Sequence, residues 1–437
     1  MNMIKRLMAL LLAVLMCGAV AFAEPAADDV MMTVNGAPVT RAQYEGYLNT
    51  MISYYTNYGY DTSDASMLAV MQQFALQTGV EYAVMDQKLV ELGLSLTETE
   101  RAAAIAASQA QWTAVIEDGL AYYGVTAETT EEERATILLN VLAELESMGY
   151  TEEGYLADAI QYAEYDKLYA YLSQDAAVED QAVIDYYNSL VEADKAVYEN
   201  DAAAYEQVQQ MNQLYTAYGM ADYVTEVYYK PAGYRLVTHI LLSADEALLT
   251  EYADLQAAYE EQQNTIEEGG EVTGDVITAE AVENARLAIL ANVQPTVDEI
   301  NQKLADGATF AELIPQYTTD PGMMDEASIA KGYEVHMDSV NWVIPFRDQA
   351  FTVNNIGDVT APVVTDYGVH ILQYVADVPA GGVELTAEMH ADFKASLLAA
   401  AQDEAYYAAL ETWVNEAVVE YSDEAKAILG ATETAAE

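Results

Sequence analysis

A chain of 437 residues is too long for one ordinary core and points to two or three domains. Its 16 Lys and Arg stand against 72 Asp and Glu, a net charge of −56. That charge repels phosphate backbones, which argues against nucleic acid as a partner, and it favours solubility without specifying a fold.

In chain order, Lys5 and Arg6 precede the apolar run Leu7–Val20, and Ala21-Phe22-Ala23 supplies a small-x-small cleavage pattern. Residues 1–23 therefore read as a signal peptide, too short in their apolar part for a membrane span. Cys17, the one cysteine, lies inside this segment, and Met16 before it suits lipidation poorly, so release is expected over a lipid anchor. A chain cleaved after Ala23 has no thiol for a disulfide, a nucleophile or a metal.

Val30–Thr40 has two short apolar runs around Asn35-Gly36, a hairpin signal, and Thr40 reads as a helix N-cap. Apolar and tyrosine residues then recur at helical spacing over Met67–Leu92, Thr97–Tyr122, Glu131–Met148 and Glu153–Leu172, with Gly93 and Gly149 at expected stops. Val178–Asn212 reads as further helix carrying Tyr186, Tyr187, Tyr198 and Tyr205. Most tyrosines and methionines here are expected to pack helices together, with a minority lining an open groove.

The texture changes near Lys230-Pro231-Ala232-Gly233. Tyr234–Leu242 is β-like, Asp245–Glu261 is helical, Glu267–Asp275 reads as an acidic surface loop, and helix continues through Leu304. Thr309–Tyr317, a loop around Asp320-Pro321-Gly322 and a short helix near Ile344–Phe351 follow. Two β-runs, Asp358–Thr365 and Val369–Val375, join at Asp366-Tyr367-Gly368. This order is α+β. After Pro379 the pattern is helical from Ala387 to about Leu429, ending in a frayed tail, Ala431–Glu437.

Four histidines carry the candidate chemistry: His239, His336, His370 and His390. His239 shares a strand face with Val237 and Leu241, and His370 lies in the last strand between Gly368 and Leu372. The two can meet on adjacent central strands, but spacing alone favours two hydrogen-bonded core histidines. His336 reads as an exposed strand-edge residue and His390 is given no role. Glu131–Glu133 and Glu267-Glu268 read as solvated faces. With no calcium loop, phosphate loop, zinc motif or Ser-His-Asp context, no metal or cofactor is expected.

Tyr234-Arg235-Leu236-Val237-Thr238-His239-Ile240-Leu241-Leu242 resembles the opening strand of parvulin (PpiC-type) peptidyl-prolyl isomerases. Ala308–Leu313 with Tyr317–Gly322, then Pro345–Phe351, then Ile356–Val363 with Asp366–Leu372, are similar to that family's later elements, in the family's order. The flanking regions resemble the helical part of SurA/PrsA-like foldases.

The resemblance implies an α+β parvulin domain, a small antiparallel sheet with surrounding helices, inserted in a mostly α-helical chaperone domain. The expected layout is an N-terminal helical domain over 24–230, an isomerase domain over 231–378 with a long helical insertion near 245–297, and C-terminal helices over 379–437 that pack on the chaperone domain. It also implies roles. His239 and His370 match the paired histidines of the pocket floor, and Asp320 the position held by Cys or Asp. Phe346 matches the aromatic that grips proline, and Trp342 stands where Met is usual. Glu334 replaces a pocket leucine, Tyr367 stands where some members have Ser, and Phe351 is expected in the core behind. No basic cluster follows the first strand, so phosphoserine-directed specificity is not expected.

The function expected is an exported prolyl isomerase and chaperone acting on unfolded or extended exported polypeptides that contain X-Pro. It would be secreted or held in the cell envelope, with membrane association only through a lipidated Cys17. The alternative is a holdase whose isomerase domain is degenerate.

Overall fold

The computed structural model describes residues 29–430 except Gly274; the signal segment, Cys17 and the tail from 431 lie outside the described residues. No helix among them is long and apolar enough to cross a membrane. The chain divides into two compact units: one holds residues up to 179 and from 394 onward, the other residues 180–393. The second is thus inserted within the first along the sequence.

In the first unit, β1 (Val30–Val34) and β2 (Ala37–Thr40) pair antiparallel. Their turn holds Asn35 at φ 53° and Gly36 at φ 82°. Two successive left-handed residues match the twist of the flanking strands, and Asn-Gly is the pair that adopts them most readily. Thr40 then starts α1 (Arg41–Asn57) with a reciprocal cap: its hydroxyl accepts from the Gln43 N–H, and the Gln43 side chain accepts from the Thr40 N–H. Four helices follow: α2 (Ala65–Glu91), α3 (Glu98–Tyr122), α4 (Glu131–Ser147) and α5 (Glu152–Ser173). They fall within a residue or two of the stretches that periodicity marks.

The C-terminal stretch departs from expectation. In place of one helix to Leu429, a helix over Ala387–Glu416 is followed by β9 (Val419–Tyr421) and a final helix, Asp423–Gly430. β9 pairs with β1, giving the sheet order β2-β1-β9. Asn35 and Val418 lock the join: the Asn35 N–H donates to the Val418 carbonyl at 2.8 Å, and the Val418 N–H to Asn35 Oδ1 at 2.8 Å. A partner strand 383 residues away overrides local helical preference here. Met31, Met32, Val34, Leu76, Leu168 and Ala425 bury the core of this unit.

The second unit opens with α6 (Asp180–Tyr198) and α7 (Ala202–Ala217). The single helical stretch expected over 178–212 breaks at Asp201, whose side chain caps α7 from the Ala204 N–H. β3 (Tyr229–Lys230) pairs with β8 (Gly381–Gly382). Between them run β4 (Arg235–Leu242), α8 (Glu246–Glu267), α9 (Ala279–Ala305), α10 (Phe310–Tyr317) and a 3-10 turn at Pro321–Met323. Then come α11 (Glu326–Lys331), β5 (Tyr333–Val335), α12 (Ile344–Gln349), β6 (Val363–Thr365) and β7 (Gly368–Asp377).

The four-stranded antiparallel sheet runs β5-β4-β7-β6. Its first and last long strands are neighbours at the centre. One face carries Ile240, Leu242, Val369 and Ile371 against Ile289, Val293 and Ile300 of α9 and Phe310 of α10. The other carries Val237 and Leu372 against Phe346 and Ala350. Strand alternation assigns odd positions of β4 and even positions of β7 to this second face, which therefore receives both His239 and His370.

Candidate functional site

Register brings the two histidines together. His370 stands opposite Leu241 and His239 opposite Leu372, so the imidazoles are diagonal neighbours on one face. Their ring centroids lie 5.0 Å apart at 83°. Phe346 from α12 sits edge-on to both, 5.2 Å from His239 and 5.1 Å from His370. All three are buried, with 3%, 5% and 2% of their surface exposed for His239, His370 and Phe346. The Trp342 indole lies over Phe346 at 5.2 Å and 30°. Behind the wall, the Arg235 guanidinium lies over the rings of Phe351 and Tyr374, and its Nη1 donates to the Ala350 and Val353 carbonyls, fixing the end of α12.

Asp320 approaches from the loop after α10. That loop is tied to β4: the Thr319 N–H donates to the Leu241 carbonyl at 2.8 Å, and the Leu241 N–H to Thr318 Oγ1 at 3.2 Å. Asp320 Oδ2 lies 2.8 Å from His239 Nε2. The Gly322 N–H donates to Oδ1 at 2.9 Å and the Tyr333 hydroxyl to Oδ2 at 2.9 Å. Burial pushes this carboxyl's pKa up, but these three groups more than offset it and hold it below the ordinary carboxylate value. With an ionised carboxylate at Nε2, the neutral His239 ring carries its proton there and leaves Nδ1 as the acceptor. His370 Nε2 pairs with Thr365 Oγ1 at 2.8 Å. Neither Nδ1 has a protein partner, and His239 Nε2, though 2.8 Å from Asp320 Oδ2, is not aligned with it as a hydrogen-bond donor.

Desolvation lowers the pKa of both imidazoles. For His239 the Asp320 carboxylate partly offsets it; His370 is pushed down to about 3, with His239 beside it acting in the same direction. Because the folded values lie below the usual 6.5, the unfolded chain takes up protons first as the solution is acidified. The stability due to neutral imidazoles is complete above about pH 6.5 and is lost as pH falls below it, by up to about 1.4 kcal/mol per pH unit for each ring. Asp320 adds loss in the same direction below the ordinary carboxylate range, as pH falls through its own lowered value. We expect the urea midpoint of the inserted unit to fall from pH 7 to pH 4.5. His370 Cε1–H should hold its neutral chemical shift over that range, and a neutral-to-charged transition near 6.5 would contradict the geometry.

Two residues named from sequence stand apart from this cluster. Glu334 is exposed and its carboxylate pairs with Lys230 Nζ; only its backbone carbonyl meets the site, accepting from Trp342 Nε1 at 2.9 Å. Tyr367 sits in the turn between β6 and β7 with 68% of its surface exposed. The cause at Glu334 is strand period. β5 pairs Tyr333 with Val237 and Glu334 with Leu236, so Tyr333 shares the face of Val237 and His239 while Glu334 points away.

Tyr333 is the member that sequence reasoning missed. Its ring lies 5.3 Å from His239 and 4.8 Å from Trp342, and burial, with the Asp320 carboxylate next, pushes its hydroxyl up to about 12, so it remains a donor. Gly322 makes room for it, since a Cβ there would fall 2.0 Å from the Tyr333 hydroxyl oxygen. His336 is also more enclosed than expected. Its ring lies 5.0 Å from that of Tyr234 and covers Gly233, where a Cβ would come within 2.7 Å of His336 Nε2. Among the described residues, no cluster of three or more His, Cys, Asp or Glu is placed to hold a metal ion.

Residues 276–377 match the family model of the PPIC-type PPIASE domain. The chain carries a parvulin-type domain. It is 38% identical over 86 residues to foldase protein PrsA 2 of Listeria monocytogenes, covering 20% of this chain and 28% of that protein. It is 34% identical over 91 residues to foldase protein PrsA of a Geobacillus species, covering 20% and 29%. The match thus spans less than a third of these curated relatives. Among solved structures, PrsA from Bacillus subtilis aligns over 74% of this chain and 89% of its own at 15% identity and TM-score 0.19. A SurA-like chaperone of Campylobacter jejuni aligns over 75% and 96% at 14% and TM-score 0.26. The family match begins after α8, so His239 lies upstream of the matched residues and reaches His370 through the pairing of β4 with β7.

Proposed function

We propose that this chain is an extracytoplasmic prolyl isomerase and chaperone, with His239, His370, Asp320, Phe346, Trp342 and Tyr333 forming the isomerase site. The observation that carries this reading is the pair of buried imidazoles on adjacent central strands, His239 beside Asp320 and His370 on Thr365, beneath an aromatic wall.

An X-Pro bond turns over in tens to hundreds of seconds unaided, because the twisted state loses amide resonance. No covalent step is needed. A site that fits the twisted amide better than either planar form lowers the barrier. The proline ring packs into the apolar wall that Phe346 and Trp342 supply. The twisted amide lies over the imidazole floor, where Asp320 and Thr365 fix both rings and no charged imidazolium is available to be solvated. The clients are unfolded or extended exported polypeptides. In the helical unit, Val70 and Phe74 lie half-exposed in a groove with Val414, Tyr421 and Leu429, a surface suited to holding apolar client segments.

A protease-coupled proline assay on the full chain tests the catalytic part. Catalysis of the cis-to-trans step that rises linearly with protein supports it, and an uncatalysed rate at high protein concentration rejects it.

A further inference from the structure

We infer that Glu206 of α7 is a positioning residue for this site, holding the loop that carries Trp342. The inference deepens the isomerase reading and rests on it. Glu206 is 2% exposed. A carboxylate this deeply buried is costly unless its oxygens are satisfied, and here four neutral donors satisfy them. The Tyr234 hydroxyl donates to Oε1 at 3.0 Å. Ser339 Oγ at 2.7 Å, the Val340 N–H at 2.8 Å and the Asn341 N–H at 3.1 Å all donate to Oε2. Three consecutive residues thus wrap one oxygen, as a backbone nest wraps an anion.

The next residue is Trp342. Its backbone follows directly from the clamped loop, and its indole N–H is held by the Glu334 carbonyl. One turn on from Glu206, Gln210 Nε2 donates to the Asn341 side chain, adding a second tie from α7 to the same loop. Tyr234, on the other carboxylate oxygen, stands immediately before β4, the strand that carries His239. A single side chain of α7 therefore fixes both the root of the histidine strand and the approach to the aromatic wall. α7 lies outside the stretch that matches the PPIC-type family.

The test is Glu206→Gln in the full chain. The amide keeps the shape but offers an N–H₂ where either the loop N–H groups or Tyr234 need an acceptor. Emission from Trp342 is read in a Trp112→Phe, Trp413→Phe background. We expect KM for an X-Pro peptide to rise about tenfold, the worth of one hydrogen bond to a charged group, with kcat less affected. Trp342 emission should shift to the red while far-UV dichroism stays unchanged. Ser339→Ala, which removes one of the four donors and keeps the carboxylate, should show the same changes to a smaller extent, and it carries the test should Glu206→Gln fail to fold. Unchanged KM and unchanged Trp342 emission overturn the inference, as does a KM change without an emission change. An inactive parent chain would defeat the isomerase reading alone. In that case a red shift on Glu206→Gln still supports the clamp, and its absence still overturns it.

Discussion

Asp320→Asn is expected to lower kcat/KM for an X-Pro peptide by about 10- to 150-fold, the equivalent of losing one hydrogen bond to a charged group. Asp320 accepts from the Gly322 N–H and the Tyr333 hydroxyl, and its Oδ2 lies 2.8 Å from His239 Nε2, outside the ring's donor direction. An amide has one acceptor oxygen. Turned to serve His239 and Tyr333, it points its N–H₂ at the Gly322 N–H; turned the other way, it points donors at a buried imidazole. Either choice frees the His239 ring to change tautomer or orientation. The protease-coupled assay reads the rate, and the His239 ring-proton resonance reads the tautomer. A variant with parental kcat/KM would show that Asp320 holds no catalytic geometry.

Phe346→Ala is expected to cost about 3–5 kcal/mol, the usual range for deleting a buried phenylalanine side chain. For a unit of this size that lowers the thermal midpoint by roughly 6–20 °C. The ring touches both imidazoles and the Trp342 indole, so its removal opens the wall from the inside. Turnover should fall with stability. Phe346→Leu should restore most of the midpoint, because a branched apolar side chain refills the space, yet leave KM raised, because the flat face against which proline packs is gone. A leucine variant with parental KM would place the proline ring elsewhere.

The candidate site was legible through a resemblance: spacing alone reads His239 and His370 as core histidines, and the roles expected of His239, His370, Asp320, Phe346 and Trp342 came from stretches similar to the parvulin family's. What escaped was decided at longer range. Tyr333 and Glu334 are adjacent, and nothing local says which faces the site. The register of β5 on β4 decides it, and a slip of one residue would exchange them. Glu206 escaped for a different reason. In sequence it is one of 72 acidic residues, the single one within α7, and its burial depends on a loop more than 130 positions away. A boundary drawn at 230 separates it from every group it binds, whereas the compact unit that holds the site begins at 180.

The sequence by itself determined the elements. Caps, turn residues and periodicity act over a few positions, and they placed the Asn35-Gly36 hairpin, α2 to α5, β4, α10 and β7 with little error, whereas β6 is Val363–Thr365 and not the longer Asp358–Thr365 expected. Tertiary structure alone decided which strands pair, that residues 419–421 leave a helical pattern to join β1, which face of β5 meets His239, and that Glu206 of α7 accepts from the loop before Trp342. The physical reason is that each of these depends on burial against a distant partner, and the pairing free energy of such a contact is not encoded in the few residues on either side of it.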